Sequence, residues 1–520
     1  MKNLIKHFIK NKIASNEYFL PKIILLFITF SFIHYGLGYQ PKFIYTIGVV
    51  AFLVFINRVK FLYISFVWIF TIISTIYLPI AILYGSPSFN ILASLFYTNK
   101  DEAIGFLSLI PYYYYLFSLL ILLLGVFCSL LKIKKIKYVS LISFIIFLVI
   151  LLSTPIKDYR KESSINILNS GYPEIKFIKE FYYSLVELNN ENSKLEKLIY
   201  QKDDFNPVNS KNKYNTYVMV IGESARRDLM NFYGFHINNT PFMNTINGIF
   251  FTNYISAGAS TNISLSNTIA IKGNLSNNIV SLANKAGFNT YWLSNQGSLG
   301  IFDTPIASMG KKANKYHFLK KGDYDNSTNS SNDTGLLPFI KTAINDNKKN
   351  KLIIIHLMGS HPPACNRTND YYEIFYKSKD VSCYIQSIKE TDNLLSKIYN
   401  ELSLTKTKWS MMYFSDHGLS YANRNDIQQL RIMHGSSYRQ NYEIPFFITS
   451  YDSKEKIYIK EKRSALSFMS LFSEWTGIDD KIIDKKCHMI SNDKCENQNN
   501  VINFHNKVIN YLEFPIEKSI

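Results

Sequence analysis

A chain of 520 residues has room for two or three domains, and its formal net charge of +18 would suit nucleic acid, anionic lipid or a cell-surface polyanion. The lysines are scattered, and no zinc finger, helix-turn-helix or aromatic-plus-basic RNA-binding pattern occurs, which excludes nucleic acid and leaves a membrane surface. The apolar residues are uneven: up to residue 154 Ile, Leu, Phe and Tyr dominate, and beyond it the chain reads as a soluble protein.

Five apolar runs are long enough to cross a bilayer, at about 20–39, 43–57, 61–84, 108–131 and 137–154; the second is short, so four spans is the rival count. Lys2, Lys6, Lys10 and Lys12 precede the first run, Arg58 and Lys60 follow the second, and Lys132, Lys134, Lys135 and Lys137 separate the fourth from the fifth. Basic loops stay in the cytoplasm, so the N-terminus is expected inside and the chain from residue 155 outside. No small-residue cleavage site stands out, which keeps the first span in the protein. The spans hold few ionisable residues apart from His34, which argues against an ion-coupled transporter.

Three segments are expected: a transmembrane anchor over 1–154, an amphipathic connector at the membrane surface over 155–210, and a catalytic domain over 211–520. Helical periodicity runs over 175–198 in the connector. Cys365, Cys383, Cys487 and Cys495 all lie in the soluble part, which in an oxidising compartment suggests two disulfides. Close spacing favours 365–383 and 487–495 among the three possible connectivities, and the absence of any CxxC pair argues against a metal site built on cysteine.

From residue 217 short apolar runs alternate with helical stretches, with strands expected at 217–221, 290–293, 352–355, 409–414 and 444–449. Such runs separated by helices imply an α/β domain with a mainly parallel sheet, whose ligands gather at the carboxyl ends of the strands. A stretch rich in Asn and Ser at 323–334 reads as a loop.

Four strand ends carry chemistry-bearing groups. Glu223 follows the first strand, His356 and His361 follow the third, Asp416 and His417 follow the fourth, and His434 precedes the last. Alone, each has an ordinary explanation: a charge at a helix start, a turn, or a satisfied polar group. Together and in this order they would converge on one rim, and carboxylate and imidazole ligands suit zinc, with manganese the competitor. A nucleophile is offered by 256–270, which starts as a loop and continues as a helix, where backbone N–H groups favour a phosphate. Spacing leaves Ser260, Thr261 and Ser264 open, and a helix-capping role is the plain alternative for Ser260 or Thr261.

The segments VIGESARRDLMNFYGF, NNTPFMN, GASTNISLSN, HLMGSH, FSDHG and MHG…IPFFIT resemble those of the lipid-dependent phosphoethanolamine transferases of the alkaline phosphatase/sulfatase superfamily. The resemblance spans the anchor and nearly all of the soluble part. It implies an alkaline phosphatase/sulfatase-like fold, a metal-bound Thr261 as nucleophile, metal ligands at Glu223, Asp416 and His417, and His361 and His434 around the phosphoethanolamine. Members that act on lipid A commonly carry Thr-Ala-Thr-Ala-Val-Ser-Val-Pro-Cys at the nucleophile, where this chain has Ala-Ser-Thr-Asn-Ile-Ser-Leu-Ser-Asn. The nearer match is a less characterised branch that includes a member linked to periplasmic glucan modification.

The implied reaction is a double displacement. Thr261 takes phosphoethanolamine from phosphatidylethanolamine, and an acceptor on lipopolysaccharide (lipid A or core oligosaccharide) or on a periplasmic glucan removes it. The resemblance places the catalytic domain in the periplasm, the spans in the bacterial inner membrane, and the enzyme as a monomer among membrane lipids. Phosphoglycerol transfer from phosphatidylglycerol and a non-catalytic envelope scaffold are the rival readings. A sulfatase is disfavoured, because the Cys/Ser-x-Pro-x-Arg segment is missing.

Overall fold

The computed structural model describes residues 19–97, 111–133, 137–162, 166–207, 209–300, 303–320, 332–503 and 507–518. It divides into two compact units, Met1–Asn190 and Glu191–Ile520.

The first unit contains helices α1 (Phe19–Gly36), α2 (Phe43–Ile56), α3 (Lys60–Tyr84), α4 (Phe89–Tyr97), α5 (Tyr112–Ser129) and α6 (Lys137–Glu162); α7 (Pro173–Tyr200) straddles the boundary. Among the described residues four helices are long and apolar enough to cross a membrane: Phe19–Gly36, Lys60–Ile82, Tyr112–Ser129 and Tyr138–Tyr159. The expected second span is α2, an apolar helix of 14 residues, about 21 Å long at 1.5 Å per residue and shorter than these four. Residues 108–110 of the expected fourth span lie outside the described residues, as do Lys2, Lys6, Lys10, Lys12, Lys134 and Lys135. Phe30, Ile33, Leu53, Tyr63 and Val67 pack inside the unit, while Leu20, Phe61, Ile76, Leu141 and Val149 face outward. Helices that are apolar on both sides in this way have their solvent in lipid. His34 is buried and bonds Glu174 at 3.0 Å and Thr46 at 3.3 Å.

The second unit is built on an eight-stranded sheet: β1 (Thr216–Gly222), β2 (Gly248–Phe251), β3 (Asn289–Ser294), β4 (Lys315–Phe318), β5 (Lys351–His356), β6 (Trp409–Ser415), β7 (Phe446–Ser450) and β8 (Lys456–Ile459). The strands lie in the order β8-β2-β7-β6-β1-β5-β3-β4. Only β7 runs against the rest, pairing antiparallel with both β6 and β2. The central strands are buried along their whole length because both faces are covered. Alternation sorts their side chains: Met219, Ile221, Leu352, Ile354, Met412 and Phe414 enter one core, and Val218, Val220, Ile353, Ile355, Met411 and Tyr413 the other.

The five expected strands are present. The last begins at Phe446 rather than 444, since Pro445 has no N–H to give a ladder. The edge strands β4 and β8, and β2 beside β8, were not expected. Each has four residues, too few for periodicity to register. Residues 323–331 of the Asn- and Ser-rich stretch lie outside the described residues, and 333–336 form a short 3-10 turn. Cys365 is bonded to Cys383 and Cys487 to Cys495, and Cys128 is a free, buried thiol.

Candidate active site

Parallel pairing of β1 with β6 sets Gly222 opposite Ser415, so Glu223 and Asp416 leave neighbouring strands side by side. The chain then turns sharply at Ser224, whose φ of 59° lies in a region that a non-glycine residue enters only when its surroundings hold it there. They do: Ser224 N–H donates to Asp416 Oδ1 at 2.9 Å, and the Ser224 carbonyl accepts from the buried Tyr384 hydroxyl at 2.6 Å. Gly359 (φ 48°) packs on the same turn, and a Cβ there would lie 2.8 Å from the Glu223 nitrogen.

Glu223, Asp416 and His417 converge, with one ligand atom from each within 4.8 Å of the others and all three side chains buried. The Asp416 Oδ1 atom accepts two backbone N–H groups, from Ser224 and from His417 at 2.7 Å, whereas Oδ2 is buried with no hydrogen-bond partner. Nδ1 of His417 lies 2.8 Å from the Gly418 carbonyl, which can only accept, so Nδ1 carries the proton and a neutral ring turns its Nε2 lone pair inward. Nε2 is 3.4 Å from Glu223 Oε1 and 3.5 Å from Asp416 Oδ2.

Two buried carboxylates and an imidazole converging on one point call for positive charge between them, a shared proton or a metal ion. The titration of the groups carries the same message. Burial and the neighbouring Glu223 charge push Asp416 up to about 7. Burial would lower His417, yet the Asp416 and Glu223 charges outweigh it and lift the ring to about 9. For Glu223 the His417 hydrogen bond and charge overcome burial and hold the carboxyl below its usual range. The donor set therefore fits a divalent metal with mixed oxygen and nitrogen ligands.

Ser260, Thr261 and Ser264 sit at the start of helix α8 (Thr261–Thr268), and the structure separates them. Thr261 Oγ1 donates to Glu223 Oε2 at 3.0 Å and lies 3.5 Å from His417 Nε2. The Ser264 hydroxyl is buried and donates to the Asp416 carbonyl at 2.6 Å, holding the ligand loop. Ser260 is the N-cap residue but makes no side-chain cap.

A cavity of about 970 Å³ opens over Thr261, with Gln296, His361, His434, Phe318 and Arg431 among its walls. His361 and His434 meet there, Nε2 to Nε2 at 3.3 Å, and the His434 ring lies 5.3 Å from that of His417. Both are held down to about 3, His361 by burial and then the charges of Arg367 and His417, His434 by burial and then His417 and His361. His356 also lines the cavity but is buried against Trp292, and burial lowers it to about 4.

Sequence reasoning missed Gln296, whose Nε2 donates to the Leu357 carbonyl at 2.8 Å and to Glu223 Oε2 at 3.3 Å. It lies two positions beyond β3, so the strand-end rule that found the others could have found it. Also missed was a clasp behind the site. The Glu517 carboxylate accepts from Arg226 Nη1, from Arg424 Nη1 at 2.9 Å and from Tyr421 N–H at 2.8 Å, while Arg226 also donates to the Leu419 carbonyl at 3.3 Å. It joins the loop after Glu223 to the loop after His417.

The sulfatase family model matches residues 215–478. The chain is 36% identical over 496 residues to the phosphoethanolamine transferase OpgE of Escherichia coli (strain K12), a match covering 93% of each protein. It is also 36% identical over 376 residues to a putative phosphoethanolamine transferase of Haemophilus influenzae, covering 68% of this chain and 73% of that one. In fold the second unit is similar to the C-terminal periplasmic domain of EcEptC from Escherichia coli, solved in complex with Zn, at a TM-score of 0.52 and 20% identity over 60% of this chain and 96% of that one.

Proposed function

Because the chain belongs to the sulfatase family and, within it, to the phosphoethanolamine transferases, we propose that it carries phosphoethanolamine from phosphatidylethanolamine to a cell-envelope glycan by way of Thr261. The observation that carries this reading is the Thr261 hydroxyl, which lines the cavity together with His361 and His434 and lies 3.0 Å from Glu223 of the candidate metal group.

Glu223, Asp416, His417 and Thr261 would hold zinc, with manganese the alternative. Bound there, the ion supplies Lewis acidity that lowers the pKa of a hydroxyl and neutralises charge on phosphoryl oxygens. Thr261 Oγ1, its proton already lost to solvent, attacks phosphorus; its bond to phosphorus forms as the bond to the diacylglycerol oxygen breaks, and that oxygen receives a proton from the His361–His434 pair. An anionic phosphodiester beside the pair raises both imidazoles towards neutrality, which equips one of them for this transfer. In the second half an acceptor hydroxyl or phosphate oxygen bonds to phosphorus and Thr261 is released, with the histidine pair taking a hydroxyl's proton back. Gln296 holds Glu223 in place throughout.

The acceptor is lipid A, core oligosaccharide or periplasmic glucan. Mass spectrometry of these three fractions from cells with and without the gene decides among them: one is expected to lose the mass of a phosphoethanolamine group when the gene is absent. Three unchanged fractions would refute an envelope glycan as acceptor.

The catalytic domain lies in the periplasm, the enzyme works as a monomer in the inner membrane, and the connector over 155–210 rests on the membrane surface. Exposed Ile178, Tyr182 and Tyr183 on α7 support the last point. An alkaline phosphatase reporter fused after residue 160 is expected to be active and one fused at Lys134 inactive; the opposite pattern would reverse the orientation.

A further inference from the structure

Two segments frame the mouth of the cavity, residues 370–380 and 427–433. Ser378 Oγ donates to the Leu430 carbonyl at 2.6 Å, the Asp380 carboxylate accepts from Ile432 N–H at 2.9 Å, and Asp370, Lys379, Gln428 and Met433 line the opening. From these segments Tyr371 (57% exposed), Ile374 (49%), Phe375 (63%), Ile427 (56%) and Met433 (44%) turn apolar side chains to the outside. Isolated exposed apolar residues need no explanation, but five around one opening mark a contact surface. Lys379 and Arg431 stand exposed among them, Lys379 paired with the exposed Asp370 at 2.8 Å, and aromatic and aliphatic groups mixed with charges of both signs suit a layer of zwitterionic headgroups.

We propose that this rim docks the catalytic unit onto a lipid surface, so that the cavity meets its donor at the plane of the bilayer. The proposal rests on the reading above that the donor is a membrane lipid. Such a donor must bring its phosphorus to Thr261 while its acyl chains stay out of water, since every methylene exposed to solvent opposes the move. A cavity rimmed by apolar side chains and pressed against headgroups meets both demands, because the lipid needs only to rise by the depth of the cavity.

The test uses the full chain reconstituted into vesicles of phosphatidylethanolamine and phosphatidylglycerol. A polarity-sensitive nitrobenzoxadiazole label is placed at Ile427→Cys, in a Cys128→Ser background, and nitroxide-bearing lipids serve as quenchers. The control is the same label at Leu404→Cys, which is 81% exposed at the far end of helix α9 (Lys379–Ser403), about 37 Å along the helix axis from the rim. The Ile427 label is expected to be blue-shifted and quenched, and the Leu404 label neither. Equal quenching at the two positions, or none at Ile427, overturns the proposal whether or not transfer is observed.

Kinetics provide the second arm. The triple variant Tyr371→Ser, Ile374→Ser, Phe375→Ser is expected to raise KM for the vesicle donor about tenfold or more, with kcat unchanged. For a monomeric short-chain phosphatidylethanolamine its KM should match that of the wild type. A rise with both donors would mean that these residues shape the site rather than seat it on lipid, and the docking role would fall. A wild-type enzyme that consumes neither donor would count against the transfer reading instead, and the label would still decide the docking.

Discussion

Thr261→Ala is expected to lower transfer from phosphatidylethanolamine by about 10⁴-fold or more while the protein folds normally. The substitution removes the one hydroxyl that faces both Glu223 and His417. No backbone group at the start of α8 depends on that side chain, so the stability lost is that of a single hydrogen bond, about 1 kcal/mol. Ser260→Ala should stay active, because the hydrogen bond from this helix start to Glu223 comes from Thr261 and the Ser260 side chain does not cap the helix. Thr261→Ser should keep part of the activity, since a primary alkoxide can still attack phosphorus. The direct observation is covalent: after incubation with donor, a peptide containing residues 256–270 should carry phosphoethanolamine on Thr261. An adduct on Ser264 would move the nucleophile to a hydroxyl now bonded to the Asp416 carbonyl. Full activity in Thr261→Ala, with no adduct on any residue, would end the double-displacement reading.

The second large effect concerns the metal. Purified full-length protein is expected to retain about one zinc ion per chain, and Asp416→Asn or His417→Ala to lose most of it. Asp416→Asn keeps the shape of the side chain but removes the charge of a carboxylate whose Oδ2 atom has no hydrogen-bond partner. His417→Ala removes the only nitrogen in the group. Ser264→Ala is a milder case: it frees the Asp416 backbone without touching a ligand atom, and weakening of metal affinity by about 10- to 100-fold is the usual result of losing such support. Metal content measured by inductively coupled plasma mass spectrometry separates these outcomes. Undiminished zinc in Asp416→Asn and in His417→Ala would place the metal elsewhere.

The central strands were legible because burial on both faces leaves an unbroken apolar run that few other elements produce. Val218 and Met219 point to opposite cores, and each had to be apolar. The edge strands were not legible, because β4 (Lys-Tyr-His-Phe) presents two residues to solvent and has no pattern long enough to read. Glu223, Asp416 and His417 could be found because strand ends are where this architecture gathers ligands. The choice among Ser260, Thr261 and Ser264 could not, since it depends on how α8 is rotated against the sheet, and three hydroxyls within five positions carry no record of that. The second span marks the limit of composition: residues 43–57 read as a crossing, and α2 is apolar throughout but has only 14 residues.

The clasp at Glu517 sets an order of events during synthesis. Its carboxylate lies 291 positions beyond Arg226 and 96 beyond Tyr421, so it reaches the loops it joins only after everything between has been made. A nascent chain that already displays Glu223, Thr261 and His417 still has Arg226 buried beside no counter-charge but Asp228, and its ligand loops lack their common tie. Closing so long a loop is slow compared with local folding, which makes the centre one of the last parts of the unit to become rigid. If the donor is a membrane lipid, as proposed, a chain stalled midway has no finished centre with which to attack the lipids around it.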